Sequence, residues 1–161
     1  MSRTTDSSFI AATKAQIIRP VLLCEMDWPS GTSYACSAPF DIVAPGSDAS
    51  NHTFLGVGSF GSVSGGREGT DSQSDQMTLK LSGLDPSLLA LVANENNVNR
   101  PVYLWLALVD EAWQLVGTPN LRFAGLMDAA EITVGATGEI SLPVTNRLAD
   151  WERPRGGNWT D

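Results

Sequence analysis

The sequence predicts a mainly β protein, a small barrel or sandwich of strands with one or two short helices. Residues 77–82 alternate apolar and polar side chains, as a half-buried strand does. Residues 102–108 are apolar on both alternating faces, which is typical of a central sandwich strand or of a barrel wall that touches a second subunit. Glycines recur between larger side chains over residues 54–66, which indicates a bent or bulged strand.

One domain is expected over residues 1–161, because a chain of this length with 42% hydrophobic residues is long enough for one core and short of two. Its 18 acidic against 10 basic residues give a net charge of −8, which disfavours direct binding to nucleic acid. No stretch approaches the ~20 apolar residues of a membrane-spanning helix, and no signal peptide is evident. We therefore expect a cytoplasmic site of assembly and no membrane span.

The amino-terminal residues 1–16 are expected to form a helix or an arm, since Asp6 or Ser7 can cap a helix over 8–16. The apolar and β-branched run 17–28 predicts the first long strand. The Trp-Pro-Ser-Gly sequence at its end predicts a turn into a short hairpin partner at 34–36.

Two loops are expected next. Residues 39–53 contain two prolines, a glycine and several short polar residues, and residues 64–75 are polar and rich in glycine. The second loop is a candidate contact arm. Asp85 and Pro86 then predict the start of a second helix, which ends before residue 98.

The last third of the chain predicts two hairpins. A tight turn at residues 110–111 leads into a strand at 113–117, and residues 121–135 are expected to form one strand kinked near Gly125. The turn at 136–138 then leads into the final strand. Residues 151–161 lack periodicity and are expected to form a carboxy-terminal arm that crosses the surface or inserts into another chain.

No catalytic residue, metal ligand or cofactor site is predicted. The single histidine, His52, has no partner in a nucleophile motif. Cys24 and Cys36 form no CxxC pair, so free thiols are expected, with a disulfide between them as the alternative if their strands are adjacent. Residues 56–61 match G-x-G-x-x-G, but the polar sequence that follows is a poor helix, so a dinucleotide site is disfavoured.

Two pairs of carboxylates could in principle serve glycosidase chemistry, Glu25 with Asp27 and Asp128 with Glu131. Residues two apart on a strand share a face, yet any β protein offers such pairs, so an enzyme is disfavoured. Aromatic and arginine side chains instead suggest interfaces, with core packing, solvated charge or a carbohydrate platform as the alternatives. The interface candidates are Trp105, Arg147, Trp151, Arg153, Arg155 and Trp159.

Six segments together resemble one protein family. They are RPVLLCEMDW at 19–28, NHTFLGVGSFGSVS at 51–64, SGLDPSLLALV at 82–92, RPVYLWLALVD at 100–110, LRFAGLMDAAEITVG at 121–135 and TNRLADWERPRGGNWTD at 145–161. The chain resembles, from about Ile17 to Asp161, the amino-terminal part of tail-tip and baseplate hub proteins of tailed bacteriophages, prophages and phage-like particles.

The resemblance implies a small β-barrel or split-barrel module whose copies form a ring of three or six at the distal end of the tail. It implies a structural virion protein, assembled in the host cytoplasm, that joins the tail tube or distal tail protein to the central fibre or spike. The tape measure protein is a further candidate partner. The alternatives from other classes are a host-surface carbohydrate-binding β-sandwich and a tail-associated peptidoglycan hydrolase.

Overall fold

The computed structural model describes residues 6–15, 17–57, 59–64, 76–82, 95–133 and 139–146. Within these ranges the chain forms one helix and ten strands, which confirms the mainly β fold class. The helix α1 is Ser7–Thr13. The strands are β1 Pro20–Trp28, β2 Gly31–Cys36, β3 Ile42–Pro45, β4 Asn51–Gly56, β5 Ser59–Ser64, β6 Gln76–Ser82, β7 Pro101–Leu108, β8 Asn120–Met127, β9 Glu131–Thr133 and β10 Glu139–Asn146.

The strands form one sheet in the order β3-β4-β2-β1-β7-β8-β10-β6-β5, with β9 beside β10. Among the pairs described, only β2 with β4 is parallel. β1 and β7 lie at the centre and pair over seven residues, from Pro20 opposite Leu108 to Met26 opposite Val102. No pairing of β3 with β5 closes the sheet within the described residues, so the arrangement fits a sandwich better than a barrel.

Both faces of the central strands are buried. Alternate residues of β1 enter two different clusters, because successive side chains of a strand point to opposite faces. The first core cluster comprises Cys24, Met26, Trp28, Ala35, Leu79, Val102, Leu104, Met127, Leu142 and Val144. The second core cluster comprises Val21, Leu23, Cys36, Ala38, Ile42, Ala44, Phe54, Trp105, Ala107 and Val109. This two-sided burial is what the apolar pattern of β7 predicted for a central strand.

The expectation of a loop over residues 39–53 is wrong. β3 and β4 form an antiparallel hairpin there, with Ile42 opposite Phe54 and Pro45 opposite Asn51. One face of this hairpin, with Ile42, Ala44 and Phe54, covers the second core cluster. Pro45 is compatible with a strand because β3 lies at the edge of the sheet.

The expectation of one kinked strand over 121–135 is also wrong. The chain leaves the sheet after Met127, where the amide of Asp128 donates to the carbonyl of Pro143 at 2.8 Å, and re-enters it as the short strand β9. Gly125 serves a different purpose from a kink. A Cβ atom there would collide with the carbonyl oxygen of Thr145, so the glycine permits the close approach of β10.

Several local predictions are confirmed. Asp6 caps α1, its carboxylate accepting the amide of Ser8 at 3.3 Å, and the helix ends earlier than expected, at Thr13. β1 and β2 form the first hairpin, and β9 and β10 form the last one. The bulge expected in the glycine-rich strand is present in β5, where the register shifts between Phe60 and Val63. The hairpin expected after residue 111 is reduced to one bridge, Val109 with Leu115. The second helix, most of the loop at 64–75 and the arm at 151–161 fall outside the described residues.

Candidate functional site

Of the six interface candidates, the structure describes one. Trp105 is only 7% exposed and belongs to the second core cluster, so it packs inside the chain instead of standing on its surface. The other five, Arg147, Trp151, Arg153, Arg155 and Trp159, lie outside the described residues.

Trp105 is part of a row of rings that links the β3–β4 hairpin to β7. His52 stacks on Tyr34 with centroids 4.3 Å apart, and Tyr34 meets the edge of Phe54 at 5.2 Å. Phe54 meets Trp105 at 6.2 Å, and Trp105 stacks on Tyr103 at 5.7 Å. Aromatic pairs at these separations stabilise packing beyond the area they bury, so the row fastens the hairpin to the sheet.

A buried carboxylate also holds the turn of the β3–β4 hairpin against β1. Glu25 is 6% exposed, and its two oxygens accept the amide of Ser47 at 2.9 Å and the hydroxyl of Ser47 at 2.6 Å. A Cβ atom at Gly46 would lie 2.9 Å from the ring of His52 and 3.1 Å from Glu25. A side chain at residue 46 would therefore require the ring of His52 or the carboxylate of Glu25 to shift.

Asp27, Asp48 and His52 also form contacts within the chain. His52 Nε2 lies 3.0 Å from Asp48, and the amide of Ser50 followed by this imidazole holds the pKa of the Asp48 carboxyl below its ordinary value. Asp27 pairs with Arg100 at 2.8 Å. Glu25, Asp27 and Asp48 thus each have a partner within the chain, as in a structural network.

Burial, followed by the nearby charges of Glu25 and Asp48, raises the pKa of the Tyr34 phenol. Among the described residues, no group of three or more His, Cys, Asp or Glu side chains is arranged to hold a metal ion. In the same part of the chain, no helix is long and apolar enough to cross a membrane.

The two cysteines are free and buried. Their strands are adjacent, but Cys24 belongs to the first core cluster and Cys36 to the second, so their side chains lie on opposite faces of the sheet. A disulfide requires Cβ atoms about 4 Å apart and directed towards each other, which this geometry forbids. The expectation of free thiols is confirmed.

We expect neither thiol to react with Ellman's reagent in the native protein at about pH 8, because the thiolate is the reactive form. Burial raises the pKa of the Cys24 thiol to about 12 and also raises that of Cys36. Absorbance at the reporter wavelength should show both thiols only after denaturation. If the native protein rapidly released one equivalent of the coloured product of the reagent, one thiol would be accessible, which would contradict the burial described.

Exposed apolar residues gather at the end of the sheet where β1 begins and β7 ends. Ile17 is 61% exposed and Ile18 is 47% exposed, and both line a cavity of about 350 Å³ between α1 and the end of β7. We call this cavity the apolar groove. It is lined by Ala12, Ala15, Ile17, Ile18, Arg19, Leu108, Val109, Asp110, Glu111 and Val116.

Trp113 stands beside the apolar groove. It is 51% exposed and has a φ of 61°, a left-handed backbone conformation that is rare and costly for a bulky residue. The carboxylate of Asp110 stabilises this turn by accepting the amides of Ala112 at 2.8 Å and Gln114 at 2.9 Å. The ring packs 5.0 Å from that of Phe40, so the turn presents an ordered aromatic surface.

The sequence predicts a strand beginning at Trp113, whereas the structure has a turn there, so the sequence pattern does not indicate this surface. Asp110 is the residue that could have indicated it, since aspartate commonly accepts backbone amides two or more positions further along a turn. The groove itself depends on the docking of α1, where the other carboxylate oxygen of Asp6 accepts the amide of Thr118 at 3.2 Å. No local pattern in the sequence indicates that contact.

No protein-family model matches the chain, and no curated protein matches it. By structure, the chain is similar to a chain in a solved structure described as "Virion of native gene transfer agent (GTA) particle", with a TM-score of 0.62 and 17% sequence identity. The similarity covers 94% of this chain and 48% of that chain, so this chain spans about half the length of the protein it matches. At this identity the likeness concerns the fold, and the chain therefore has the fold of about half of one chain of that particle.

Proposed function

We propose that this protein is a structural component of a phage-like virion. The observation that carries the proposal is the fold similarity, over 94% of the chain, to a chain of the gene transfer agent particle. The six segments that resemble hub proteins support the same proposal. A virion protein must assemble with other virion proteins, so an exposed apolar end is a feature of the kind the proposal requires.

We further propose that the protein lies at the tail tip or baseplate, as a ring-forming adaptor between the tail tube and the central fibre or spike. The hub resemblance supports this position. A non-enzymatic role is supported by the contacts of Glu25, Asp27 and His52, which are engaged within the chain. The adaptor would be assembled in the host cytoplasm and reside in the virion.

The carbohydrate-binding alternative needs exposed aromatic platforms. Trp28 and Trp105 are 1% and 7% exposed, so neither offers a free face. Trp113 is exposed, but Phe40 packs beside its ring and the guanidinium of Arg19 lies 5.9 Å from its centroid. The described residues thus favour an assembly surface over a sugar platform.

The test is the mass of the purified protein in solution, alone and mixed with the tail-tube and distal-tail proteins of the same genome, by light scattering. We expect a ring of three or six copies, or a complex that forms on mixing. Electron microscopy of the assembled particle with a labelled copy should then place it at the tip. A persistent monomer that binds none of these proteins would overturn the adaptor proposal.

A further inference from the structure

The apolar groove has a chemistry that specifies its occupant. Its lining is mostly aliphatic and includes the exposed Ile17 and Ile18, and its charged side chains are the carboxylates of Asp110 and Glu111 and the guanidinium of Arg19. The Glu111 side chain is 86% exposed, and Arg19 approaches it only to 3.9 Å, so it remains available to a stronger cationic partner. A complementary ligand would carry a large apolar side chain close to positive charge.

The volume of the groove limits the size of the ligand. A cavity of about 350 Å³ is at the small end of the range for ligand pockets, about 300 to 1,000 Å³. It has room for one large side chain and a short stretch of backbone, but not for a helix or a strand pair. A short segment with one aromatic anchor would fit this volume.

Residues 153–159 of this chain, RPRGGNW, have that composition. They carry Arg153, Arg155 and Trp159 and no acidic residue. The adjoining residues 147–152 contain two acidic side chains, so the match is specific to the later stretch. Tryptophan and arginine are the residues most often found as anchors at protein interfaces.

The last described strand points towards the end of the sheet that carries the groove. β10 runs antiparallel to β8 and ends at Asn146, opposite Gly125, while the same β8 begins at Asn120, opposite Leu106 near the end of β7. β10 is therefore directed, up to its last residue, towards the groove end of the sheet. The 13 residues from Asn146 to Trp159 span up to about 45 Å when extended, and this length is the reach available for a contact with a neighbouring copy.

We infer that the apolar groove receives the segment 153–159 of a neighbouring copy, with Trp159 seated against Ile17 and Ile18 and the two arginines paired with Asp110 and Glu111. This inference rests on the proposed ring. It identifies the groove and the segment 153–159 as the contact between neighbouring subunits. The contact is heterologous, since a groove on one copy meets a segment of the next, and heterologous contacts are those that build rings.

Disulfide trapping on the full-length chain tests the inference. One protein carries Ile18→Cys and a second carries Thr160→Cys, which leaves Trp159 in place. Mixed under mild oxidation, they should form a disulfide-linked dimer about tenfold faster than a matched mixture of Val98→Cys with Thr160→Cys, because docking raises the effective thiol concentration. Val98 is also exposed, at 37%, but lies beyond the opposite end of β7. The native cysteines are buried and do not compete.

Adding Trp159→Ala to the Thr160→Cys protein should reduce the rate to that of the Val98→Cys control. Equal rates for Ile18→Cys and Val98→Cys would overturn the inference. So would a chain carrying both Ile18→Cys and Thr160→Cys that cross-links only within itself, since the segment would then occupy its own groove.

The two proposals fail separately. If light scattering shows a ring but disulfide trapping occurs only at the control rate, the groove contact is wrong. The proposed adaptor function would still stand. A chain that forms neither a ring nor a complex with tail proteins removes the adaptor function, whatever the trapping shows.

Discussion

Replacing Phe54 by alanine should lower the free energy of unfolding by about 4 kcal/mol, the usual cost of truncating a fully buried phenylalanine. Phe54 is 0% exposed and contacts Tyr34 and Trp105, so its loss leaves a cavity between the β3–β4 hairpin and the central strands. Urea denaturation followed by tryptophan fluorescence would measure the change.

The matched control is Leu55→Ala, one position further along β4, where the side chain is 56% exposed. It should change the free energy of unfolding by less than about 0.5 kcal/mol. Similar costs at the two positions would mean that the hairpin does not cover the second core cluster as described.

Replacing Glu25 by alanine should lower the free energy of unfolding by about 3 kcal/mol. The change removes both acceptors of Ser47 and leaves the amide of that residue beside an unfilled space inside the turn. Glu25→Gln keeps the shape and one acceptor oxygen, so it should cost about 1 kcal/mol. Urea denaturation at neutral pH separates the two variants.

Ser47→Ala completes the comparison, because the Glu25 carboxylate then retains the backbone amide and loses the hydroxyl only. Its cost should lie between those of the other two variants, at about 1 to 2 kcal/mol. A Glu25→Ala protein as stable as the glutamine variant would show that the carboxylate does not fasten the turn.

The first hairpin was predictable because its signals are local. β1 is a run of apolar and β-branched residues, and the turn sequence follows it directly. The β3–β4 hairpin is not predictable from local signals, because β3 has only four residues, one of them proline, and is followed by a glycine-containing turn. Its strand character depends on Ile42, Ala44 and Phe54 finding the second core cluster, and no local window contains that information.

The candidate site was also predictable from the sequence only in part. Spacing correctly placed Glu25 and Asp27 two apart on one strand, but their partners lie far away, Ser47 at 22 positions and Arg100 at 73. Spacing alone therefore left their role open, and the structure assigns both to internal contacts. The apolar groove needs α1, the start of β1 and the turn after β7 together, so it emerges only from the tertiary fold.

The pairing of β1 with β7 affects how the protein reaches its native state. The partners are about 80 positions apart in the chain, so the central ladder closes a long loop before it gains any contact. Proteins dominated by such distant pairings fold in milliseconds to seconds. During synthesis, β1 leaves the ribosome well before its partner and remains open to wrong strand pairing until β7 follows. We therefore expect the yield of folded protein to depend on chaperones and on the rate of translation through residue 108.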